Sequence, residues 1–442
     1  MFRSTLVLSL LFAALGAWGC RERQVVQPPP SQPPALAASA PVTVPVEVAP
    51  AEEPPVDLHR RWEITVKAGP VARDDVVVST SFPGTPAVKS VQLRESSGAR
   101  VPSQMQGDGQ LAFRIKAMKA GAQATYVVQE GGAAAAPGKG GGLAVQAADG
   151  LNLTIDGKRV LTYRTQREPS QSDIAPEYWR SGYLHPLYSP AGVVLTDDYP
   201  KDKPFEHGIW SGWQKVAAGD SRPDFWDSGR KKGRSTSESV APVWGGPLRV
   251  GFGAHQFFTD MDRQPGVTVL REGWAVTAVR GRGRAPCFVV DLESKQESMK
   301  GTVVLQENPF GGITIRGNRD WQGADKSVFL TSEGKDRTHA QGQAAHWCYL
   351  GGTSGGKMAG VAILAHPQNA GATEAVFIDP QDPVMGFAPT QNRSLETRPG
   401  RPFVLKYRFV ALDGQPDSKL FDRLWSDFAN PPQIEIRLLA SK

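Results

Sequence analysis

The sequence lacks several short motifs that identify common enzyme classes. It contains no H-E-x-x-H and no C-x-x-C, so it gives no support for zincin or thioredoxin chemistry. The segment GGTSGGKM, residues 351–358, has the G-x-x-x-x-G-K spacing of a P-loop, but Met358 stands where Ser or Thr would hold magnesium. It also lies between two predicted strands, so no helix N-terminus is available for phosphates. We therefore predict a hairpin loop here, and we expect no cofactor.

Strong charge and long apolar runs are also missing. The formal net charge of +6 is small for 442 residues, and the basic residues are scattered singly apart from one quartet, Arg230, Lys231, Lys232 and Arg234. We interpret the quartet as a solvated loop, with anionic lipid or polysaccharide as the alternative partner, and we expect no nucleic-acid partner. Beyond the N-terminus no apolar run approaches the roughly 20 residues that a spanning helix needs.

Cysteine is scarce, with only Cys20, Cys287 and Cys348 in the chain. If Cys20 is modified, the other two are free to pair in an oxidising compartment or to lie buried as small hydrophobic side chains. The sequence leaves both alternatives open.

The N-terminus has the pattern of a secretion signal. Arg3 precedes an apolar run that stops at small residues before Cys20, which predicts a signal peptide over residues 1–19. Cleavage before a cysteine resembles the lipobox of bacterial lipoproteins, although Ala17 stands where leucine is usual. The resemblance implies a lipidated Cys20 that anchors the chain to a membrane. The alternative is an ordinary secreted protein in which Cys20 is incidental.

A proline-rich segment follows. Ten prolines lie between Pro28 and Pro55, with no aromatic residue from 21 to 57, so residues 20–57 are predicted to be a lipidated cysteine and an extended tether. The lipoprotein resemblance implies that Arg21, rather than an aspartate, after the cysteine favours the outer membrane if the cell has one. We expect a chain secreted across the inner membrane and held at the outer membrane or cell surface, with its folded part in the periplasm or outside.

The rest of the chain predicts an all-β protein. Residues 58–129 contain short alternating segments that predict a small β-sandwich, and residues 130–142 are predicted to be a Gly/Ala linker. Residues 143–442 predict a large antiparallel β-sandwich, of which a mutarotase-like supersandwich is one form. Asp149-Gly150 and Asp156-Gly157 predict hairpin turns. Only residues 418–430 predict a helix, with Ser418 as its cap.

Six ordered segments in the second half resemble a known family. They include YWRSGYLHPLYSP, PDFWDSG, ENPFGGITIRG, AAHWCYLGG and GVAILAHPQNAG, and together they resemble the secreted bacterial proteins labelled PmoA-like, over roughly residues 150–430. The label borrows the name of a methane-oxygenase subunit, which is an integral membrane protein, so we do not expect methane oxidation. The resemblance implies a sugar-related role for a family without a settled activity.

One family motif is eroded in this chain. The resemblance maps a histidine-rich family stretch onto residues 202–210, where Lys203, Phe205 and Glu206 replace three family histidines and only His207 remains. One histidine with Asp202 and Glu206 is a poor ligand set for zinc or copper. We therefore expect no metal site.

The candidate site residues follow from their chemistry and from the family motifs. Imidazole titrates near neutral pH and a carboxylate fixes its tautomer, so the predicted catalytic residues are His185, His207, Glu333 and His366. Sugars are typically held by aromatic faces and planar polar groups, so the predicted substrate-binding residues are Arg180, Trp210, Trp226 and Arg316. The alternative is that the histidines are structural and the tryptophans fill the core.

The stretch DDYPKDKPFEHGIWSGW, residues 197–213, is predicted to form a loop on the rim of a pocket. We interpret its acidic residues Asp197, Asp198 and Asp202 as solvated turn formers. Two functional hypotheses remain. The first is an acid/base enzyme, or a degenerate relative of one, acting on a saccharide ligand in a β-sandwich cleft; the second is a non-catalytic glycan-binding or envelope scaffold protein. The oligomeric state is left open.

Overall fold

In the computed structural model every paired strand described is antiparallel, as the alternating sequence pattern predicts. The structure describes residues 60–83, 88, 90–106, 109–131, 141–169, 172–282, 286–369 and 374–439, which all belong to one compact unit of the chain. The predicted signal peptide, Cys20, the tether and most of the predicted linker lie outside these residues.

The first strands of the chain are short. They are β1 (Arg61–Lys67), β2 (Val76–Ser81), β3 (Val91–Glu95), β4 (Arg100–Val101), β5 (Ser103–Met105), β6 (Gln110–Ile115) and β7 (Gln123–Glu130). The middle of the chain supplies β8 (Gly142–Ala147), β9 (Gly150–Ile155), β10 (Lys158–Arg164), β11 (Tyr183–Leu187), β12 (Ile209–Trp213), β13 (Val216–Ala218), β14 (Gly233–Trp244), β15 (Arg249–Asp260), β16 (Val267–Arg282) and β17 (Pro286–Ser298).

The last part of the chain is also mostly strand. It supplies β18 (Val303–Leu305), β19 (Gly311–Arg316), β20 (Ser327–Thr331), β21 (Trp347–Ser354), β22 (Lys357–Ala365), β23 (Ala375–Ile378), β24 (Val384–Ala388), β25 (Leu395–Thr397), β26 (Phe403–Asp413) and β27 (Gln433–Leu438). The described helices are α1 (Arg337–Ala340) and α2 (Ser418–Ala429), with 3-10 turns at Pro176–Tyr178, Ser228–Arg230 and Arg319–Trp321.

Two eight-stranded sheets form the large part of the fold. Sheet I has the order β23-β24-β19-β12-β11-β10-β9-β8, and sheet II has the order β14-β15-β16-β17-β26-β22-β21-β20. Alternate side chains of both sheets meet in one apolar core, for example Leu161 and Trp213 from sheet I with Phe252 and Phe409 from sheet II. A three-stranded sheet, β13-β18-β25, adds to the same core through Val216. The predicted all-β class is confirmed.

The N-terminal strands form a second, smaller pair of sheets. Their orders are β27-β1-β7-β3-β4 and β2-β6-β5, and they enclose a separate core that includes Trp62, Ile64, Phe113 and Val128. The sequence analysis assigns residues 433–438 to the second segment, but β27 pairs with β1 in register from Trp62↔Leu438 to Lys67↔Gln433. The chain therefore returns to its first strand, a pairing that no local pattern encodes.

The local predictions for turns and the helix can be checked directly. Asp156 and Gly157 have φ of 53° and 72°, which confirms the predicted hairpin turn, and residues 351–358 form the β21–β22 hairpin. Helix α2 packs Leu420, Phe421 and Leu424 against the outer face of sheet II. Its cap was predicted wrongly: the side chain of Asp417, not Ser418, accepts from the N–H of Leu420, because Ser418 is already the first helical residue.

Candidate functional site

The loop from residue 197 to 208 lies on the outer face of sheet I, next to β11 and β12. Strand alternation explains this placement, since Ile209 and Trp213 face the core between the sheets while Trp210 faces outward. Tyr183 of β11 joins Trp210 in the outer cluster. The loop therefore covers the side of the sheet that carries aromatic rings.

A buried aspartate and histidine pair is the centre of this loop. His207 Nδ1 lies 2.8 Å from Asp198 Oδ1, and Asp198 Oδ2 accepts a hydrogen bond of 2.8 Å from the hydroxyl of Tyr183. The His207 ring packs 4.7 Å from both the Tyr183 and Tyr199 rings, and the residue is only 1% exposed. The pair is thus sealed from solvent by aromatic rings.

The electrostatics of the pair fix its protonation. Burial lowers the pKa of His207, although the hydrogen bond to Asp198 works in the opposite direction. Burial alone would raise the pKa of Asp198, but the hydrogen bond from His207 and the neighbouring imidazoles lower it. A neutral His207 therefore donates Nδ1–H to an ionised Asp198, which leaves Nε2 as the unprotonated nitrogen.

The position of Tyr199 supports this arrangement. Tyr199 has a φ of 49°, a left-handed conformation that is uncommon for a bulky residue. Its hydroxyl accepts a hydrogen bond of 3.1 Å from the backbone N–H of Arg180, and its ring contacts His207 edge-on. These two contacts hold the unusual turn in place.

His185 lies beside this pair and is partly buried. Its Nδ1 is 2.9 Å from the hydroxyl of Thr196, which also accepts from the backbone N–H of Leu187. Burial lowers the pKa of His185, although the negative charge of Asp198 acts to raise it. A Cβ on Gly208 would lie 2.8 Å from His185 Cβ and 2.1 Å from Leu184 O, so only glycine permits this approach. The structure thus brings His185 and His207 together.

The two predicted arginines are buried and donate hydrogen bonds to protein groups, although the Nε of each has no partner among the described residues. Burial lowers the pKa of Arg180 to about 10, and its guanidinium donates to the carbonyl of Ser211. Arg316 donates to Glu206 and, at 2.7 Å, to Gln322, and burial raises the pKa of Glu206 to about 7 in spite of Arg316 and Lys203. Both arginines therefore organise the floor of the site.

The two predicted tryptophans belong to one aromatic cluster. The Trp210 and Trp226 rings are 5.5 Å apart, and Trp226 lies 5.7 Å from both Phe310 and Phe377. Trp210 is fully buried and Trp226 is 5% exposed, whereas Phe310 is 36% exposed. The solvent-facing edge of the cluster is Phe310, which sequence reasoning did not single out.

The other two predicted catalytic residues lie elsewhere. His366 follows β22, where its Nδ1 accepts from the N–H of Gln368 and its ring meets Phe428 of α2. Glu333 is exposed and accepts from the hydroxyl of Ser332. Among the described residues, neither one makes a hydrogen bond or a ring contact with His185 or His207. His366 instead lines a small cavity of about 80 Å³ with His346, Glu374 and Trp425.

Asp198 is the functional candidate that sequence reasoning missed. The sequence analysis interprets it as a solvated turn former together with Asp197 and Asp202, but Asp198 is 7% exposed and Asp197 is buried with an ion pair to Arg319. Only Asp202 is exposed as expected. A usable signal was the adjacent Tyr199, since a carboxylate placed among aromatic side chains needs a buried partner.

The described residues contain no group of three or more His, Cys, Asp or Glu side chains that could hold a metal ion. Within the same part of the chain, no helix is both long and apolar enough to cross a bilayer.

The fold and the site together define an all-β protein with a histidine and aspartate pair on the outer face of one sheet. Residues 150–426 match a family of unknown function (DUF6807), and the protein belongs to this family. The PmoA-like resemblance draws on nearly the same range, and that label stays a prediction.

No curated protein matches the sequence. A solved protein in the glycosyl hydrolase family 38 from Enterococcus faecalis is similar to the chain with a TM-score of 0.38 and 9% identity, covering 87% of this chain and 48% of that one. The chain thus spans about half the length of that protein.

Proposed function

We propose that this protein is a cell-envelope lipoprotein that acts on a saccharide by acid/base chemistry, with His185 exchanging the proton. The observation that carries the proposal is the adjacency of the partly buried His185 to the fully buried Asp198–His207 pair. Both imidazoles have a lowered pKa, so both are neutral at neutral pH and can accept a proton. His207 and Asp198 act as positioning residues, because aromatic rings separate them from solvent.

The contacts of His185 define its role in more detail. Its Nδ1 is engaged by the Thr196 hydroxyl, so Nε2 is the nitrogen left to exchange a proton with a substrate hydroxyl. The charge of Asp198 favours the protonated state that forms during such a transfer. The carboxylate of Asp198 thus stabilises the protonated imidazole of His185 and does not itself take part in the proton transfer.

The saccharide class is supported by the aromatic cluster next to the pair. His207, Trp210, Trp226 and Phe310 form a continuous series of ring contacts, and the half-exposed Phe310 offers a ring face at its outer end. Aromatic faces with a few placed polar groups are typical of small-ligand sites. The PmoA-like resemblance implies the same class of ligand.

A second function, glycan binding without turnover, is favoured by a different observation. Glu206, which replaces a histidine of the eroded family motif, is buried and bonded to the buried Arg316. Groups already paired within the protein are poorly placed to take part in chemistry. In this alternative the histidines hold the loop and the aromatic cluster provides the contact surface.

One set of measurements separates the two functions. The full chain is screened on a glycan array, and its ligands are then incubated with the protein and analysed for products by chromatography. We expect turnover to fall by roughly 100-fold or more in His185→Gln, as for loss of a general acid/base group, with binding retained. The control is His339→Gln, which alters an exposed histidine paired with Asp336. Binding without products, unchanged in His185→Gln, would favour the scaffold function.

The lipoprotein part is tested separately. Mass spectrometry of the mature chain should show an acylated N-terminal Cys20, and Cys20→Ser should move the protein from the membrane fraction to the soluble fraction. An unmodified N-terminus upstream or downstream of Cys20 would refute the anchor and leave the saccharide proposal untouched.

A further inference from the structure

A groove crosses the outer face of sheet II, on the other sheet from His185. It encloses about 350 Å³ and is lined in part by His255, Arg271, Gly273 and Lys295. These residues come from three neighbouring strands, β15, β16 and β17. The sequence analysis gave none of them a role, and the proposed function does not depend on them.

The register of the strands creates the groove. His255 pairs with Gly273, and Gly273 pairs with Lys295, so the three residues form one row on the same face of the sheet. The middle position has no side chain. Because adjacent strands are about 4.8 Å apart, the outer two Cα atoms are separated by roughly 10 Å, which leaves a gap between a histidine and a lysine.

The gap exposes nitrogen atoms that have few partners. A Cβ added at Gly273 would lie 3.4 Å from His255 Nε2, so this nitrogen borders the gap, while Nδ1 faces the hydroxyl of Ser239 at 3.4 Å. Among the described residues, Lys295 Nζ makes no ion pair or hydrogen bond that the structure records. Its cationic charge is therefore unmatched at one side of the gap.

The other ionised side chains of the groove already have direct partners. Arg271 Nε donates to Glu238 at 3.0 Å, and the carboxylate of Glu297 accepts from the backbone N–H of Gly400. Both carboxylates thus have partners other than Lys295, and Lys295 is the one ionised side chain among these described lining residues that lacks a direct partner. A ligand that matches the groove carries one negative group over Gly273, between Lys295 Nζ and His255 Nε2.

We propose that this groove binds the carboxylate of an acidic sugar residue. Met299 and Pro399 supply apolar wall on the lining, which suits the carbon face of a pyranose ring, and the recess accommodates a single sugar unit with its charged group over Gly273. A flat lipid surface would need projecting basic residues rather than a recessed row. The site takes an acidic polysaccharide chain as its ligand, independently of any chemistry at His185.

The test is isothermal titration calorimetry of the full chain with tetragalacturonate. The fully methyl-esterified form of the same oligosaccharide serves as the uncharged control ligand. We expect binding of the acid form and none of the ester. Lys295→Gln should weaken binding roughly fivefold to tenfold, the effect of one lost charge contact. Gly273→Val should weaken it at least as much, because the added side chain fills the gap while leaving every charge in place.

The control variant is Lys406→Gln, which removes an exposed lysine that pairs with Glu293 outside the groove, and it should bind as the wild type does. Thermal unfolding of each variant shows that it is folded. Equal binding of acid and ester forms, or unchanged affinity in Lys295→Gln, would overturn the proposal. So would binding of inorganic phosphate as tight as that of tetragalacturonate, or binding only to phosphatidylglycerol vesicles, since these outcomes assign the groove to a free anion or a lipid headgroup.

Discussion

Asp198 and His207 are nine residues apart in the chain and share a hydrogen bond of 2.8 Å, and the His207 ring packs against Tyr199 of the same loop. The carboxylate is held from its other side by Tyr183 of β11. This contact ties a loop without regular structure to the outer face of sheet I. The same bond orients the imidazole of His207 and keeps a negative charge next to His185.

Removing the carboxylate should destabilise the fold. Asp198→Ala leaves His207 and the Tyr183 hydroxyl buried without their acceptor, and we expect a loss of about 2–4 kcal/mol in the free energy of unfolding. Asp198→Asn should cost less, because the amide oxygen still accepts one hydrogen bond. Urea unfolding measures both. Asp202→Ala, in the exposed part of the loop, is the control and should change stability by less than about 0.5 kcal/mol.

The stability of the chain should depend on the ionisation of Glu374. Burial raises the pKa of this carboxyl to about 7, against hydrogen bonds from Asn369 and Tyr407. The folded state therefore favours the protonated acid. Its contribution is complete below the unfolded pKa of about 4.5 and is lost as the pH rises through about 7.

The variant Glu374→Gln removes this dependence. The free energy of unfolding of the variant minus that of the wild type should rise between pH 4 and pH 8, by up to about 3 kcal/mol. Urea unfolding at several pH values measures the difference. The control is Glu333→Gln, which changes an exposed carboxyl. A flat profile for Glu374→Gln would mean that the buried carboxyl is not protonated in the fold.

The sequence predicts those parts of the fold that depend on contacts between residues close together in the chain. The Asp156-Gly157 turn and α2 are set by neighbouring residues, and both were predictable. The pairing of β27 with β1 joins the two ends of the described chain, and alternation predicts that each is a strand but not which strand it meets. The burial of Asp198 could not be predicted for the same reason, because it depends on Tyr183 from a strand elsewhere in the sequence.

The site shows the same limit. The family motifs predicted His185 and His207 as neighbours in function, and they are neighbours in space. The same motifs suggested His366 and Glu333 as partners, yet His366 belongs to the contact between sheet II and α2. Sequence order gives residue types, whereas the sheet on which each residue lies decides what it can touch.

The two cysteines of the folded part should remain reduced. Cys348 lies in the core between the sheets, and Cys287 lies in the cluster under α2, so they occupy opposite faces of sheet II and both are free. Burial raises the pKa of Cys287 to about 11 and raises that of Cys348 further, which disfavours the reactive thiolate.

We expect neither Cys287 nor Cys348 to react with a thiol reagent in the native protein, and both to react after denaturation. Addition of reductant should leave the thermal midpoint unchanged, because no bond exists to break. Stoichiometric labelling before and after unfolding measures the result, with Cys20→Ser as the background so that only these two thiols count. Rapid native labelling of either residue would contradict its burial.

The last prediction concerns an ion pair that joins the N-terminal strands to α2. Arg73 Nη1 lies 3.0 Å from Asp427 Oδ1, with side-chain exposures of 0% and 2%, and Arg73 also donates to the carbonyls of Ala68 and Asn430. Removing one partner of a buried pair leaves the other charge uncompensated. Arg73→Met should therefore lower the free energy of unfolding by about 3–5 kcal/mol.

Replacing both partners should be milder than replacing one. In the double variant Arg73→Met with Asp427→Leu, no unpaired charge remains, and we expect it to recover part of the stability that Arg73→Met loses, because apolar replacements of buried pairs are often tolerated. The control is Arg437→Met, which removes a surface pair with Glu63 and should cost less than about 1 kcal/mol. If urea unfolding shows the same small loss for Arg73→Met as for this surface variant, the buried pair does not hold α2 against the N-terminal strands.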